Sequence, residues 1–255
     1  VRTLALILLG VLAGLLAVHI TLVTVDPLGV IAYGRALQWV RADTLPHPTG
    51  YRHPTGVHAT PFGRVTILPD GTRWTGSAPN GCRLLIVGDS VAFGMGVGDT
   101  DTFAAHLARL RPDWHVINTA RVGYNSGNLA RAAQAAEADT VLYLMVNNDA
   151  APPVGVWTPI ALPSPIRLYG QFFQPRVELP TDSDAFRDML AVMSGVDAHV
   201  VAFGGNPLIV PARDVVDVTV IPPHNAPISA ADPHPSPEGH RRIANALLDV
   251  VECVS

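Results

Sequence analysis

A serine hydroxyl is a poor nucleophile unless a base stands beside it, so chemistry in this chain starts with Ser90 and with any residues that could serve it. Ser90 closes the run Leu84-Leu85-Ile86-Val87-Gly88-Asp89-Ser90, a short apolar stretch that reads as a buried strand stopping at a sharp turn. Asp232-Pro233-His234-Pro235-Ser236, near the other end, supplies an imidazole and a carboxylate. Such a set suits acyl transfer: a hydroxyl attacks a carbonyl, the imidazole takes its proton, and the carboxylate orients the ring. Gly123 in Val122-Gly123-Tyr124-Asn125 and Asn148 in Asn147-Asn148-Asp149 each follow an apolar run, so both can reach the same sheet edge as Ser90.

Taken in order, these four blocks resemble the SGNH (GDSL-type) hydrolases and their O-acyltransferase relatives, over residues 81–253. Two positions depart from the family pattern. Val146 stands where the third block usually has glycine, and the last block is Asp-Xaa-His where Asp-Xaa-Xaa-His is usual, a variant similar to the alginate-acetylase-type branch. The resemblance implies Ser90, His234 and Asp232 as catalytic residues and an oxyanion hole formed by Ser90, Gly123 and Asn148. It also implies acyl esters as substrates, acetylated glycans or other surface molecules among them, and no metal or organic cofactor. Asp89, next to the nucleophile, is expected to be structural.

The elements that must position these residues read as alternating strands and helices. Trp114 to Asn118 and Thr140 to Val146 are strands, with helices around Phe103 to Leu110 and Leu129 to Ala138. Asp184 to Ser194 is a further helix, followed by strands at His199 to Phe203 and Val215 to Ile221. Ser236 caps a last helix that has Pro237 in its first position and Glu238 in its first turn. Strand and helix in alternation give a parallel sheet with crossover helices and a site at the strands' carboxyl ends. The expected fold is a three-layer α/β/α, doubly wound, mainly parallel sheet, SGNH- or flavodoxin-like, carried by residues 81–255.

Ahead of it, residues 1–25 contain an uncharged, mostly apolar run from Leu4 to Val25, long enough at about 1.5 Å per residue to cross a hydrocarbon core of about 30 Å. A signal anchor is favoured over a cleaved signal peptide, because the run exceeds an ordinary h-region and lacks a good Ala-Xaa-Ala site. The domain beyond it is placed outside the cytoplasm. Residues 26–80 read as a juxtamembrane lead-in with a hairpin of Val65 to Leu68 and Thr72 to Trp74 about Pro69-Asp70-Gly71. His47, His53 and His58 fit no metal-ligand spacing and read as solvated loop residues. Residues 151–180 hold seven prolines and four aromatics without periodicity, which suggests a lid or binding loop.

Composition excludes some classes. A net charge of −4, with 17 arginines and no lysine, leaves no basic footprint for nucleic acid. The run Gly94-Met95-Gly96-Val97-Gly98 has the wrong spacing for a dinucleotide fingerprint. Cys82 and Cys253 fall at the same end of the expected sheet, which allows a disulfide; two unpaired thiols are the alternative. Three functions stay open: a membrane-anchored serine esterase, an O-acyltransferase using the same residues, and a silent module that binds glycan or organises a surface complex.

Overall fold

The computed structural model describes residues 2–42, 44–135, 137–159, 161, 163–174, 179–180 and 182–253. Helix α1 (Arg2–Thr24) is long and apolar enough to cross a membrane by length and composition, and it contributes no buried residue. Asp26 ends it and caps α2 (Val30–Ala42), its carboxylate accepting from the backbone N–H groups of Ile31 and Ala32. Two small antiparallel pairs follow, β1 (Leu45–His47) with β2 (Gly50–Arg52), and β3 (Gly56–Thr60) with β4 (Gly63–Ile67).

The main sheet begins at β5 (Cys82–Gly88) and takes in β6 (Trp114–Asn118), β7 (Thr140–Met145), β8 (His199–Phe203) and β9 (Val218–Ile221). All five strands are parallel, in the order β6-β5-β7-β8-β9. Leu84, Leu85, Ile86 and Val87 of β5 are fully buried, as expected for a strand covered on both faces. Their side chains alternate between two cores. Leu84 and Ile86 join a cluster with Phe103 and Leu107 of α4 (Phe103–Leu110) and Ile243 and Leu247 of the final helix, while Leu85 and Val87 join Leu129, Phe186 and Leu190 on the opposite face.

In chain order the remaining helices are α3 (Ser90–Phe93), which precedes α4, then α5 (Ser126–Ala135), α6 (Pro165–Phe172), α7 (Asp184–Gly195), α8 (Ile209–Ala212) and α9 (Pro237–Leu248). The α/β/α doubly wound fold expected from the sequence is therefore present. β5 is the strand at which the order reverses, with β6 on one side and β7 on the other, and the crevice outside the carboxyl ends of such strands is where open α/β sheets bind ligands.

Several local expectations change. The hairpin about Pro69-Asp70-Gly71 is present, the Leu68 N–H donating to the Thr72 carbonyl and the Trp74 N–H to the Thr66 carbonyl, but its first strand also pairs with β3. Beyond the turn, the Arg73 N–H donates to the Asn118 carbonyl, so the lead-in covers the outer edge of β6 and leaves fewer unpaired backbone groups there. His53 is not a solvated loop residue. It is 2% exposed and stacked on Trp39 at 4.9 Å, because α2 folds back over the lead-in. Residues 151–180 are not wholly irregular either: α6 lies among them, with Ser164 at its N-cap position and Pro165 in its first turn. Leu168, Tyr169 and Phe172 stand at helical spacing, a short signal among the surrounding prolines, and the helix packs on α1 and α2. Residues 160, 162 and 175–178 of that stretch lie outside the described residues. The expected strand from Val215 begins only at Val218.

Cys82 and Cys253 are joined by a disulfide across a sequence separation of 171 residues, with Cα atoms 5.8 Å apart. It ties the start of β5 to the segment after α9.

Candidate active site

Ser90 sits where β5 ends, at the first residue of α3. The turn is tight enough to require glycine before it: a Cβ on Gly88 would lie 2.4 Å from the Ala92 Cβ, and only its absence lets α3 fold back over the strand. Asp89 caps α3, one carboxylate oxygen accepting from the Val91 N–H at 2.9 Å. Gly94, at φ +84°, ends it. The turn is held from outside as well. The Asn118 side-chain amide at the end of β6 donates to the Ala92 carbonyl at 2.9 Å.

Arg73 of the lead-in does more. Its guanidinium, 1% exposed, donates to the carbonyls of Phe93 at 2.5 Å, Gly94 at 2.7 Å and Val97 at 2.7 Å. It faces Asp99 at 3.9 Å and lies over the Phe93 ring. Burial pushes its pKa down to about 10, against the pull of Asp99. The glycine-rich run after Ser90 thus turns its carbonyls toward a buried cation, a polarity opposite to that of a phosphate-binding loop, which presents N–H groups.

His234 arrives on the loop before α9, whose N-terminus is fixed by the Ser236 hydroxyl accepting from the Gly239 N–H. Its Nε2 stands 2.8 Å from the Ser90 Oγ, and its Nδ1 stands 2.6 Å from Asp232 Oδ1. The same carboxylate oxygen accepts the His234 backbone N–H at 3.1 Å, so the two-residue spacing closes a local ring around the imidazole. With the Nδ1 proton directed at Asp232, Nε2 is left as an acceptor for the serine hydroxyl. Asp89 Oδ2, 2.9 Å from Ser90 Oγ, is a second acceptor for that one proton. Ser90 is 9% exposed, and the side chains of His234 and Asp232 are 11% and 4% exposed.

Gly123 and Asn148 line the same cleft of about 450 Å³ as Ser90 and His234. Gly123 has φ +75°, and a Cβ there would meet the Trp157 ring at 2.9 Å. Asn148 is held by its neighbour: Asp149, fully buried, accepts from the Tyr143 hydroxyl at 2.6 Å and the Val146 N–H at 2.8 Å. Burial, reinforced by the nearby Asp89, raises the Asp149 pKa well above the usual carboxylate range. Of the residues singled out from sequence, Ser90, His234, Gly123 and Asn148 thus border one cleft, and Asp232 stands behind His234, its side chain 4% exposed.

Sequence reasoning missed Arg73, Asn118 and the α2 residues Tyr33, Leu37, Val40 and Arg41, which form another wall of the cleft. The spacing of those four, all on one helical stripe, was the available signal. Arg73 carried none, since its partners are backbone carbonyls twenty or more residues away. His240 is fully buried, its Nδ1 accepting from the Phe103 N–H at 3.2 Å, a packing role between α9 and α4.

No family model and no curated protein matches the sequence. Among solved structures, the chain is similar to a lipolytic protein of the G-D-S-L family from Veillonella parvula, at 14% identity, covering 66% of this chain and 97% of that one, with a TM-score of 0.40. It is also similar to the psychrotrophic esterase EstA from Pseudoalteromonas sp., at 14% identity, 66% and 94% coverage and a TM-score of 0.42. A carbohydrate acetylesterase family member from Sinorhizobium meliloti matches at 18% identity, 66% and 96% coverage and a TM-score of 0.38.

Proposed function

We propose that this chain is an SGNH-type serine hydrolase of acyl esters, held at a membrane by α1 with its α/β domain outside the cytoplasm. The observation that carries the reading is the continuous line from Asp232 through His234 to Ser90, with contacts of 2.6 and 2.8 Å at the carboxyl end of β5. Ser90 Oγ attacks the ester carbonyl carbon while His234 Nε2 takes its proton, and Asp232 stabilises the imidazolium that forms. The resulting oxyanion is held by the backbone N–H groups of Ser90 and Gly123 and by the Asn148 amide, each such donor being worth about 2.7–4 kcal/mol. Collapse breaks the ester C–O bond and His234 returns the proton to the leaving alkoxide. Water then attacks the acyl-serine and regenerates the hydroxyl.

The sequence resemblance supports acetyl esters of cell-surface glycans as substrates, and the Cys82–Cys253 disulfide supports an oxidising compartment. A sugar hydroxyl in place of water would make the same site an O-acyltransferase. The test is turnover of p-nitrophenyl acetate by the full chain in nanodiscs, beside the Ser90→Ala variant. Hydrolysis that disappears with Ser90, together with labelling of Ser90 by a fluorophosphonate, is the expected result. Neither turnover nor labelling in the folded wild type would leave a silent binding module.

A further inference from the structure

A second cavity, of about 490 Å³, opens beside the catalytic cleft and shares three wall residues with it: Tyr33 and Leu37 of α2, and Pro233 between Asp232 and His234. The shared boundary lies beside the histidine, since the Tyr33 and His234 rings are 6.1 Å apart. Farther in, the walls are mostly apolar, Gln171 and Gln174 being the polar members. Val30 comes from α2, Leu168 and Phe172 from α6, and Ala231 from the catalytic loop.

This cavity adjoins the membrane-spanning candidate. α6 packs on both α1 and α2, and Leu22 in the last turn of α1 rests on the cluster of Val30, Ile31, Tyr169 and Ala231. The Tyr169 hydroxyl donates to Asp26 at the α1–α2 junction at 2.8 Å, fixing α6 to the end of the anchor. On the outer side, Ile166 is 61% exposed and Phe173, just past α6, is 71% exposed. Apolar side chains displayed beside an apolar helix end suit the bilayer boundary.

We propose that the cavity between α2 and α6 receives the acyl chain of the ester whose carbonyl is bound at Ser90, and that longer chains such as octanoyl are preferred to acetyl. The inference rests on the esterase reading and departs from it in the acyl group, a longer chain replacing the acetyl that the sequence resemblance suggests. An acyl tail leaving the carbonyl passes Pro233, Tyr33 and Leu37 and meets Leu168 and Phe172, with Gln171 and Gln174 the polar residues of the wall. Each methylene it buries there raises kcat/KM by at most about fourfold, the Boltzmann equivalent of complete hydrocarbon burial. Acetyl would leave the cavity unused.

The experiment is kcat/KM for p-nitrophenyl acetate, butyrate, octanoate and decanoate with the full chain in nanodiscs of ether-linked phospholipid. The expected result is a rise of at least tenfold from acetate to octanoate. Leu168→Trp fills the far end of the cavity and touches none of the catalytic machinery; it is expected to lower octanoate turnover at least tenfold with acetate unchanged within twofold. Should that variant fail to fold, Leu168→Ala serves instead, moving the optimum to decanoate with acetate again unchanged. A flat or falling series in the wild type, or variants that change all four esters by one factor, would overturn the proposal. Serine-dependent acetate turnover with no gain along the series refutes only the acyl cavity, whereas turnover that survives Ser90→Ala refutes the esterase reading beneath it. Repeating the assay in ester-linked nanodiscs identifies the source of the chain. Release of fatty acid points to the bilayer itself, and octanoate cleavage without such release points to a soluble acyl donor.

Discussion

Replacing Arg73 by methionine tests whether the segment before the α/β domain is part of its catalytic apparatus. Methionine keeps much of the volume and removes the charge, so the lost quantity is mainly the set of bonds to the carbonyls of Phe93, Gly94 and Val97. A hydrogen bond from a charged donor contributes about 1.5–3 kcal/mol, which sets a gross loss of about 5–9 kcal/mol for three. Against this stands the desolvation of a fully buried guanidinium, visible in a pKa pushed down to about 10 by that burial; at about 1.4 kcal/mol per unit the variant recovers about 3 kcal/mol. Asp99 keeps Arg64 and Thr66 as partners, so it is not stranded. The net expectation is a loss of about 2–6 kcal/mol, which brackets the cost of breaking a buried charged pair. In a domain of this size that lowers Tm by roughly 4–24 °C.

Circular dichroism on heating measures the shift. Ester turnover well below the transition measures the consequence for Ser90, since the three carbonyls belong to the end of α3 and the loop after it. A fall of about tenfold in kcat is expected from a nucleophile displaced by a fraction of an ångström. A Tm within 3 °C of the wild type would show that the carbonyls find other partners and would refute the reasoning. Full recovery by Arg73→Lys would do the same, because an ammonium lacks the fork that serves three acceptors at once.

Asp232→Asn is expected to lower kcat by about 10³–10⁴-fold with the fold intact, through loss of the imidazole's orienting carboxylate; an unchanged kcat, with Asp89→Asn inactive instead, would reverse the roles of the two acids. Converting both Cys82 and Cys253 to serine should reduce stability by about 2–4 kcal/mol in urea titrations, and thiol counting on the unreduced wild type should find none. Acid should destabilise the fold through buried histidines. Burial pushes His53 down to about 3 and His240 well below 6.5, so between pH 3 and 6.5 the unfolded chain binds more protons than the folded one. Stability therefore rises with pH across that window and is fully present above it, each histidine contributing about 1.4 kcal/mol per pH unit at most. His53→Phe should flatten the slope by one such contribution, and an unaltered slope would show that His53 is protonated in the folded state.

What the sequence determined by itself is local or repeated. Leu84 to Val87 announce a strand buried on both faces because each of them is apolar, and the Gly-Asp-Ser turn follows because only glycine at 88 admits Ala92 so closely. Ser236 and Pro237 mark the start of α9 through groups that act within one helical turn. The four blocks of site residues were legible for the same reason, since each occupies a strand end or a helix lead-in. Tertiary structure alone decided the rest. Arg73 reaches its carbonyls across a fold, the partners of α6 are α1 and α2, distant in sequence, and His53 is buried because α2 closes over it. The meeting of Ser90 with His234, 144 residues apart, needed the parallel sheet to bring both to one edge. The cavity beside them exists only where α2, α6 and the loop carrying Pro233 converge, and no stretch of sequence contains that volume.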